Sequence, residues 1–234
     1  MAHATLVQPQ PYLIDNPNLQ GGFAPVEREI VAERLPVIGQ IPADLNGLYV
    51  RNGPVPQHVR PGKYHWYDGD GMLHAVRFDR GQASYRNRWV QTEGLLGDRA
   101  LGENRWPGIK QKMPEGVLPD DAMKNTSNTD VKFHNGRLLS MWYRGGAVYQ
   151  VDPDTLATVG QLESDPRLKG LQISAHSRVD ERTGEYMFFA YGNRHPYMHY
   201  GVLGADGALK TLIPVELPGP RLPHDMAFTE HFAI

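Results

Sequence analysis

Three strand-like runs recur at a nearly constant spacing in the second half of this 234-residue chain. They are Thr129-Asp130-Val131-Lys132-Phe133-His134, Ser174-Ala175-His176-Ser177-Arg178-Val179-Asp180 and Pro223-His224-Asp225-Met226-Ala227-Phe228. Asp130 precedes His176 by 46 residues, and His176 precedes His224 by 48. A period of roughly 40–50 residues between equivalent strands marks propeller blades. In a propeller the first strand of each blade lies nearest the central axis, so side chains at equivalent positions of consecutive blades converge. His176 and His224, aimed at one axis, form a candidate metal site.

Composition narrows what such a site can be. The chain has no cysteine, which removes disulfides, thiolate nucleophiles and zinc-thiolate sites together, so any metal must be held by nitrogen or oxygen. It also fits a cytoplasmic protein. The formal net charge of −2 gives no electrostatic footprint for nucleic acid. No apolar run reaches the length of a membrane span, and residues 1–15 lack the basic-then-apolar order of a signal peptide. The 25 glycines and 19 prolines punctuate short alternating runs, which reads as many turns between strands.

Residues 1–36 read as an irregular arm wrapping the outside of the domain, broken at Asn16-Pro17, Gly21-Gly22, Ala24-Pro25 and Leu35-Pro36, with a short strand accommodated within 26–34. Residues 37–234 read as one all-β domain. Leu48 to Arg51 is a strand ended by Asn52-Gly53-Pro54, and residues 72–79 pair with 83–92 across Arg80-Gly81. Asp68-Gly69-Asp70-Gly71 begins like a calcium loop, but Met72 stands where a third oxygen ligand is wanted and no Glu closes it, so it reads as a tight turn. Residues 93–127 are the least regular, with one helical turn at 118–123; long loops on a β scaffold are where substrate contacts tend to lie. Asn135-Gly136 joins a hairpin over 130–143, followed by a strand at 147–151. The next unit repeats the plan: 173–179, a turn at 181–184, 186–191, and Val202 paired with 209–215. Residues 222–234 open a further blade.

The motifs, in order, resemble the amino-terminal half of the carotenoid oxygenase family, iron enzymes that cleave carotenoids, apocarotenoids and stilbenes. The resemblance rests on Asn16-Pro17 with Phe23-Ala24-Pro25-Val26, Gly47-Leu48-Tyr49-Val50-Arg51-Asn52-Gly53-Pro54, Tyr64-His65-Trp66-Tyr67-Asp68-Gly69-Asp70-Gly71-Met72, Tyr85-Arg86-Asn87-Arg88, Ala175-His176, and His224-Asp225-Met226-Ala227-Phe228-Thr229-Glu230. It implies a seven-bladed β-propeller with Fe(II) on its axis, held by four histidines from four blades. His176 and His224 match the first two. At 46 to 48 residues per blade the chain holds a partial propeller of about four blades, and is expected to be a fragment or truncated product.

The resemblance implies O2 and an apolar polyene or apocarotenoid as substrates, with both oxygen atoms ending on the two carbonyl products of one C=C bond. No organic cofactor is needed. A polyene must be drawn from lipid, so peripheral membrane contact is expected, although no amphipathic helix is evident. Family histidines are oriented by carboxylates, as metal-bound imidazoles commonly are. One such Glu follows the strand reading Leu139-Ser140-Met141-Trp142-Tyr143, and Tyr143 stands in its place here. A phenol accepts a hydrogen bond without a full charge and holds an imidazole less firmly. Stilbene cleavers carry a Lys at the position of Trp142, so this chain points to a polyene rather than a hydroxystilbene.

A lone histidine on a strand is more often a core or surface residue than a ligand. His65, His74, His134 and His231 read as structural, and His195 and His199 flank Pro196-Tyr197-Met198 in a loop. Tyr64, Trp66, Tyr67, Trp89 and Trp142 read as blade packing. Three functions stay open at this point: the iron dioxygenase, a non-catalytic propeller piece that binds a partner through its sheet edge, and a two-histidine zinc hydrolase, which lacks a helix of the HExxH kind.

Overall fold

Arg80 and Gly81 both adopt positive φ (46° and 79°), and so do Asn135 and Gly136 (45° and 72°). This backbone follows the twist of the strands it joins, so each pair closes a two-residue hairpin. In the computed structural model, which describes residues 16–59, 64–113, 115–116 and 122–234, these turns join β3 (Gly71–Asp79) to β4 (Gln82–Trp89), and β5 (Asp130–His134) to β6 (Arg137–Met141). The remaining strands are β1 (Val31–Ala32), β2 (Gly47–Pro54), β7 (Tyr149–Val151), β8 (Thr158–Gln161), β9 (Arg178–Val179), β10 (Tyr186–Tyr191), β11 (Met198–Leu203) and β12 (Leu209–Pro214).

Among the described residues these strands form three four-stranded antiparallel sheets, ordered β1-β4-β3-β2, β5-β6-β7-β8 and β9-β10-β11-β12. Outside these strands the elements with described bounds are one helix and short 3-10 turns, so the described architecture is all-β. Strands β2, β5 and β9 neighbour one another in succession, so each sheet presents one end strand to a common line. Alternation then gives the second sheet two buried faces. Leu138 packs with Leu73, Ala75 and Val151 between the first and second sheets, whereas Leu139 packs with Tyr186, Phe188 and Leu203 between the second and third. Every residue of β10 is buried, because its other face, with Met187, Phe189 and Tyr191, is covered by Met226 and Phe228.

Several boundaries differ from the sequence expectations. Strand β2 runs through Asn52-Gly53-Pro54, which pair with Leu73, Met72 and Gly71; Pro54 is its last residue, where the missing N–H costs no interior ladder bond. The strand expected over 173–179 shortens to Arg178–Val179, with Ile173 held only by isolated bridges to Gly146 and Ala190. His199 lies on β11 opposite Ala190 and Pro214, not in a loop. Three four-stranded sheets stand among the described residues where about four blades are expected, because the described part of 90–129 adds no strand between β4 and β5. After Pro214 the described residues add only the Phe228–Ala233 bridge. The arm's short strand is β1, the outer strand of the first sheet. Residues 1–15 of the arm and 118–121 of the expected helical turn lie outside the described residues.

The irregular stretch contains α1 (Glu93–Leu101). Its signals are local: Thr92 Oγ1 accepts from the Leu95 N–H at 3.1 Å, Glu93 sits in the first turn, and Gly102 closes the helix in the left-handed conformation. Beneath it is a wholly buried ion network. Lys124 Nζ lies 2.7 Å from Asp98 Oδ2 and also contacts Asp70 Oδ1. The lysine stem passes over Gly94, where a Cβ would come within 2.7 Å of it.

Candidate metal centre

The two histidines picked out by spacing meet. The imidazole centroids of His176 and His224 are 4.9 Å apart, with planes inclined by 50°. Two segments are fixed to bring this about. Residues 173–177 leave the ladder of β9, yet the Ser174 N–H still donates to Phe189 O at 2.9 Å and Ser177 Oγ to Met141 Sδ at 3.3 Å. Ala175 and Ser177 are buried on either side of His176, so the ring between them turns outward, its side chain 24% exposed. His224 is carried by a segment without regular structure, anchored where Met226 and Phe228 pack on Met187, Phe189 and Tyr191.

An ion pair joins the two segments directly. Arg178 Nη2 donates to Asp225 Oδ1 at 2.7 Å, two residues after one histidine and one after the other. Partial burial works to raise the Asp225 carboxyl, but the Met226 N–H bond and the charge of Arg178 carry it below the usual carboxylate range. The pair is half-exposed, so packing of Met226 rather than this charge holds His224 in place. Substituting Met226→Ala is expected to cost about 2 kcal/mol, at the low end for a buried methionine. Amide exchange over residues 224–228 should quicken with it; unchanged exchange there would show that the anchor lies elsewhere.

A carboxylate faces His176. Asp130 Oδ2 lies 3.5 Å from His176 Nδ1. The same oxygen is 2.9 Å from Lys132 Nζ, while Oδ1 accepts from the Val131 N–H at 2.7 Å. Tyr143, expected to stand beside a histidine, has its ring against Trp142, and its phenol is raised by burial against the opposing charge and hydrogen bond of Arg144. Its carbonyl accepts from Tyr191 Oη, and its N–H donates to Thr129 Oγ1. Trp142 is buried and lines a cavity of about 660 Å3 bounded also by Trp106 and by residues 168–173; neither histidine lines that cavity.

His65, His74 and His134 have structural partners. His65 accepts from the Tyr67 N–H and caps the 3-10 turn Trp66–Asp68. His74 Nδ1 lies 2.7 Å from Tyr85 Oη, and the His134 Nε2 lies 3.0 Å from Gly204 O in the core. The Asp68-Gly69-Asp70-Gly71 motif is a turn, as expected, with further duties. Asp68 accepts from the N–H groups of His65 and Ile109, and Asp70 is a member of the buried ion network. Among the described residues no group of three or more His, Asp or Glu is placed to hold a metal ion. Nor is any helix there long and apolar enough to cross a membrane.

The family described as retinal pigment epithelial membrane protein matches residues 23–234. A carotenoid cleavage oxygenase of Mycobacterium tuberculosis is 38% identical over 226 residues, covering 94% of this chain and 42% of that protein. The carotenoid 9,10(9',10')-cleavage dioxygenase 1 of Phaseolus vulgaris is 34% identical over 233 residues, covering 92% and 43%. Among solved structures, Pseudomonas brassicacearum lignostilbene dioxygenase superposes with a TM-score of 0.82 at 30% identity, over 92% of this chain and 46% of the other. A cobalt-substituted apocarotenoid oxygenase of Synechocystis gives 0.73 at 29% identity, over 88% and 45%. The chain thus spans about half the length of the relatives it matches.

Proposed function

Because the chain belongs to the family of the retinal pigment epithelial membrane protein and the carotenoid oxygenases, we propose that it contributes to a non-haem Fe(II) dioxygenase built on a seven-bladed β-propeller. The substrate is a carotenoid or apocarotenoid, cleaved at one C=C bond with O2 to give two carbonyl products. The convergence of His176 and His224 from successive units carries this reading. Two neighbouring imidazoles in a chain without cysteine are a donor set that suits a first-row metal such as iron. A relative of known structure has been prepared in a cobalt-substituted form, which supports a metal site in the shared fold.

Under this reading His176 and His224 supply two of the ligands, and bound Fe(II) would supply the open positions at which O2 is activated. The protein's own part is placement. The buried flanks of His176 and the Met226 anchor of His224 fix where the two rings stand, so little ordering is left for the moment of metal uptake. The imidazoles add no charge, leaving the cation uncompensated by these two ligands.

Stilbene cleavage is the second reading, favoured by the higher TM-score with lignostilbene dioxygenase. Against it, Trp142 places a buried indole where a cation to engage a phenolic oxygen is wanted. Equilibrium dialysis of the purified chain against Fe(II) or Co(II), followed by metal analysis, tests the site. Metal is expected on the wild-type chain and is expected to be lost from His176→Ala and His224→Ala; equal metal in all three proteins would falsify the assignment. Loss of polyene absorbance under O2, compared with a hydroxystilbene, separates the two substrates.

A further inference from the structure

We propose that Asp130 is the positioning residue of His176: its carboxylate accepts the Nδ1–H of the ring and so leaves Nε2 as the free, lone-pair nitrogen. This deepens the metal-site reading above and rests on it for its functional meaning, but its physical content concerns this chain alone. The 3.5 Å separation between Asp130 Oδ2 and His176 Nδ1 is the outer limit of a hydrogen bond, within reach of a small rotation of a ring that is partly exposed. Asp130 itself is not free to swing. Its Oδ1 is tied to the Val131 N–H at 2.7 Å, and its main-chain carbonyl accepts from Asn52 Nδ2 at 3.1 Å, so the β5 backbone holds the carboxylate and β2 holds the backbone that carries it.

Position and charge agree. A neutral imidazole has one N–H, and the nitrogen that carries it is set by the partner of that N–H. A carboxylate facing Nδ1 selects the Nδ1–H tautomer, because the alternative would set the lone pair of Nδ1 against a negative oxygen. Such an outer partner also raises the basicity of the opposite nitrogen. Tyr143, in contact with Arg144 and Trp142, supplies no charge of this kind to His176. Among the described residues Lys132 competes for the oxygen, at 2.9 Å.

The test needs no metal. In 15N-labelled wild-type chain at a pH where His176 is neutral, long-range 1H–15N correlation spectra, assigned by the signals that His176→Ala removes, report which ring nitrogen is protonated. The Nδ1–H form is expected to predominate. In Asp130→Ala the tautomer ratio should move toward Nε2–H by about tenfold, the loss of one charge-assisted hydrogen bond. Lys132→Met, which removes the competitor, should move it the opposite way; a carboxylate that merely supported the fold would not answer to Lys132. A wild-type ring found in the Nε2–H form, or a ratio indifferent to both substitutions, overturns the proposal. Metal binding measured separately then distinguishes the two ideas: a correct tautomer on a chain that takes up no metal leaves Asp130 as assigned and removes the iron reading instead.

Discussion

Lys124→Met is expected to lower the free energy of unfolding by roughly 3–5 kcal/mol, the cost of removing one partner from a buried ion network. Asp70 and Asp98 both lie beside the ammonium, and the side chains of all three are at most 4% exposed, so the substitution strands two carboxylates where water cannot reach them. Asp98 Oδ1 has no hydrogen-bond partner even in the intact network, while Asp70 Oδ2 would keep the Gln57 N–H at 3.2 Å. Urea titration followed by tryptophan fluorescence measures the loss. The triple variant Lys124→Met, Asp70→Asn, Asp98→Leu should recover a good part of it, since apolar or neutral replacement of a whole buried network is often tolerated while its disruption is not. If the single variant unfolds within about 0.5 kcal/mol of wild type, as surface substitutions do, the network is not the tie between α1 and the Asp68–Gly71 turn that its burial indicates.

That network shows where sequence reasoning stops. Asp70, Asp98 and Lys124 are separated by more than two dozen residues at each step and stand in a stretch without alternation, so no local pattern announces their meeting. Hairpins were legible for the opposite reason: Asn135-Gly136 and Arg80-Gly81 state their backbone geometry in two adjacent residues. Helix α1 carried a Thr N-cap and a Gly C-cap, but its two internal glycines and weak apolar stripe masked them. Spacing singled out His176 and His224, and the rings do meet, because a repeating unit returns equivalent positions to one place. Asp130 shared that phase. Its contact with His176 was legible only as a position, since the pairing depends on a ring turned outward by the burial of Ala175 and Ser177.

Gly71→Ala is expected to destabilise the chain by at least about 2–3 kcal/mol, although its φ is one that any residue adopts. The reason is contact. A Cβ on Gly71 would lie 2.2 Å from Ser127 O and 2.8 Å from Thr126 O, both backbone atoms with no rotamer to move. Ser127 is wholly buried in a closed polar cluster: its hydroxyl donates to Ser140 Oγ at 2.8 Å, and its carbonyl accepts from Ser140 Oγ and from Asn52 Nδ2, both at 2.9 Å. Asn52 Nδ2 also reaches Asp130 O, so pushing Ser127 aside disturbs the strand pair that holds the carboxylate opposite His176. The variant is therefore expected to combine a lower urea midpoint with altered His176 ring signals. Gly53→Ala is the control, on the strand paired with Gly71, where a new Cβ meets only the Arg51 side chain at 3.6 Å. It should leave both readouts nearly unchanged, because one added methyl group at ordinary contact distance displaces nothing. Equal midpoints for the two variants would mean that the crowding at Gly71 is relieved at little cost, and that the turn does not set the position of β5.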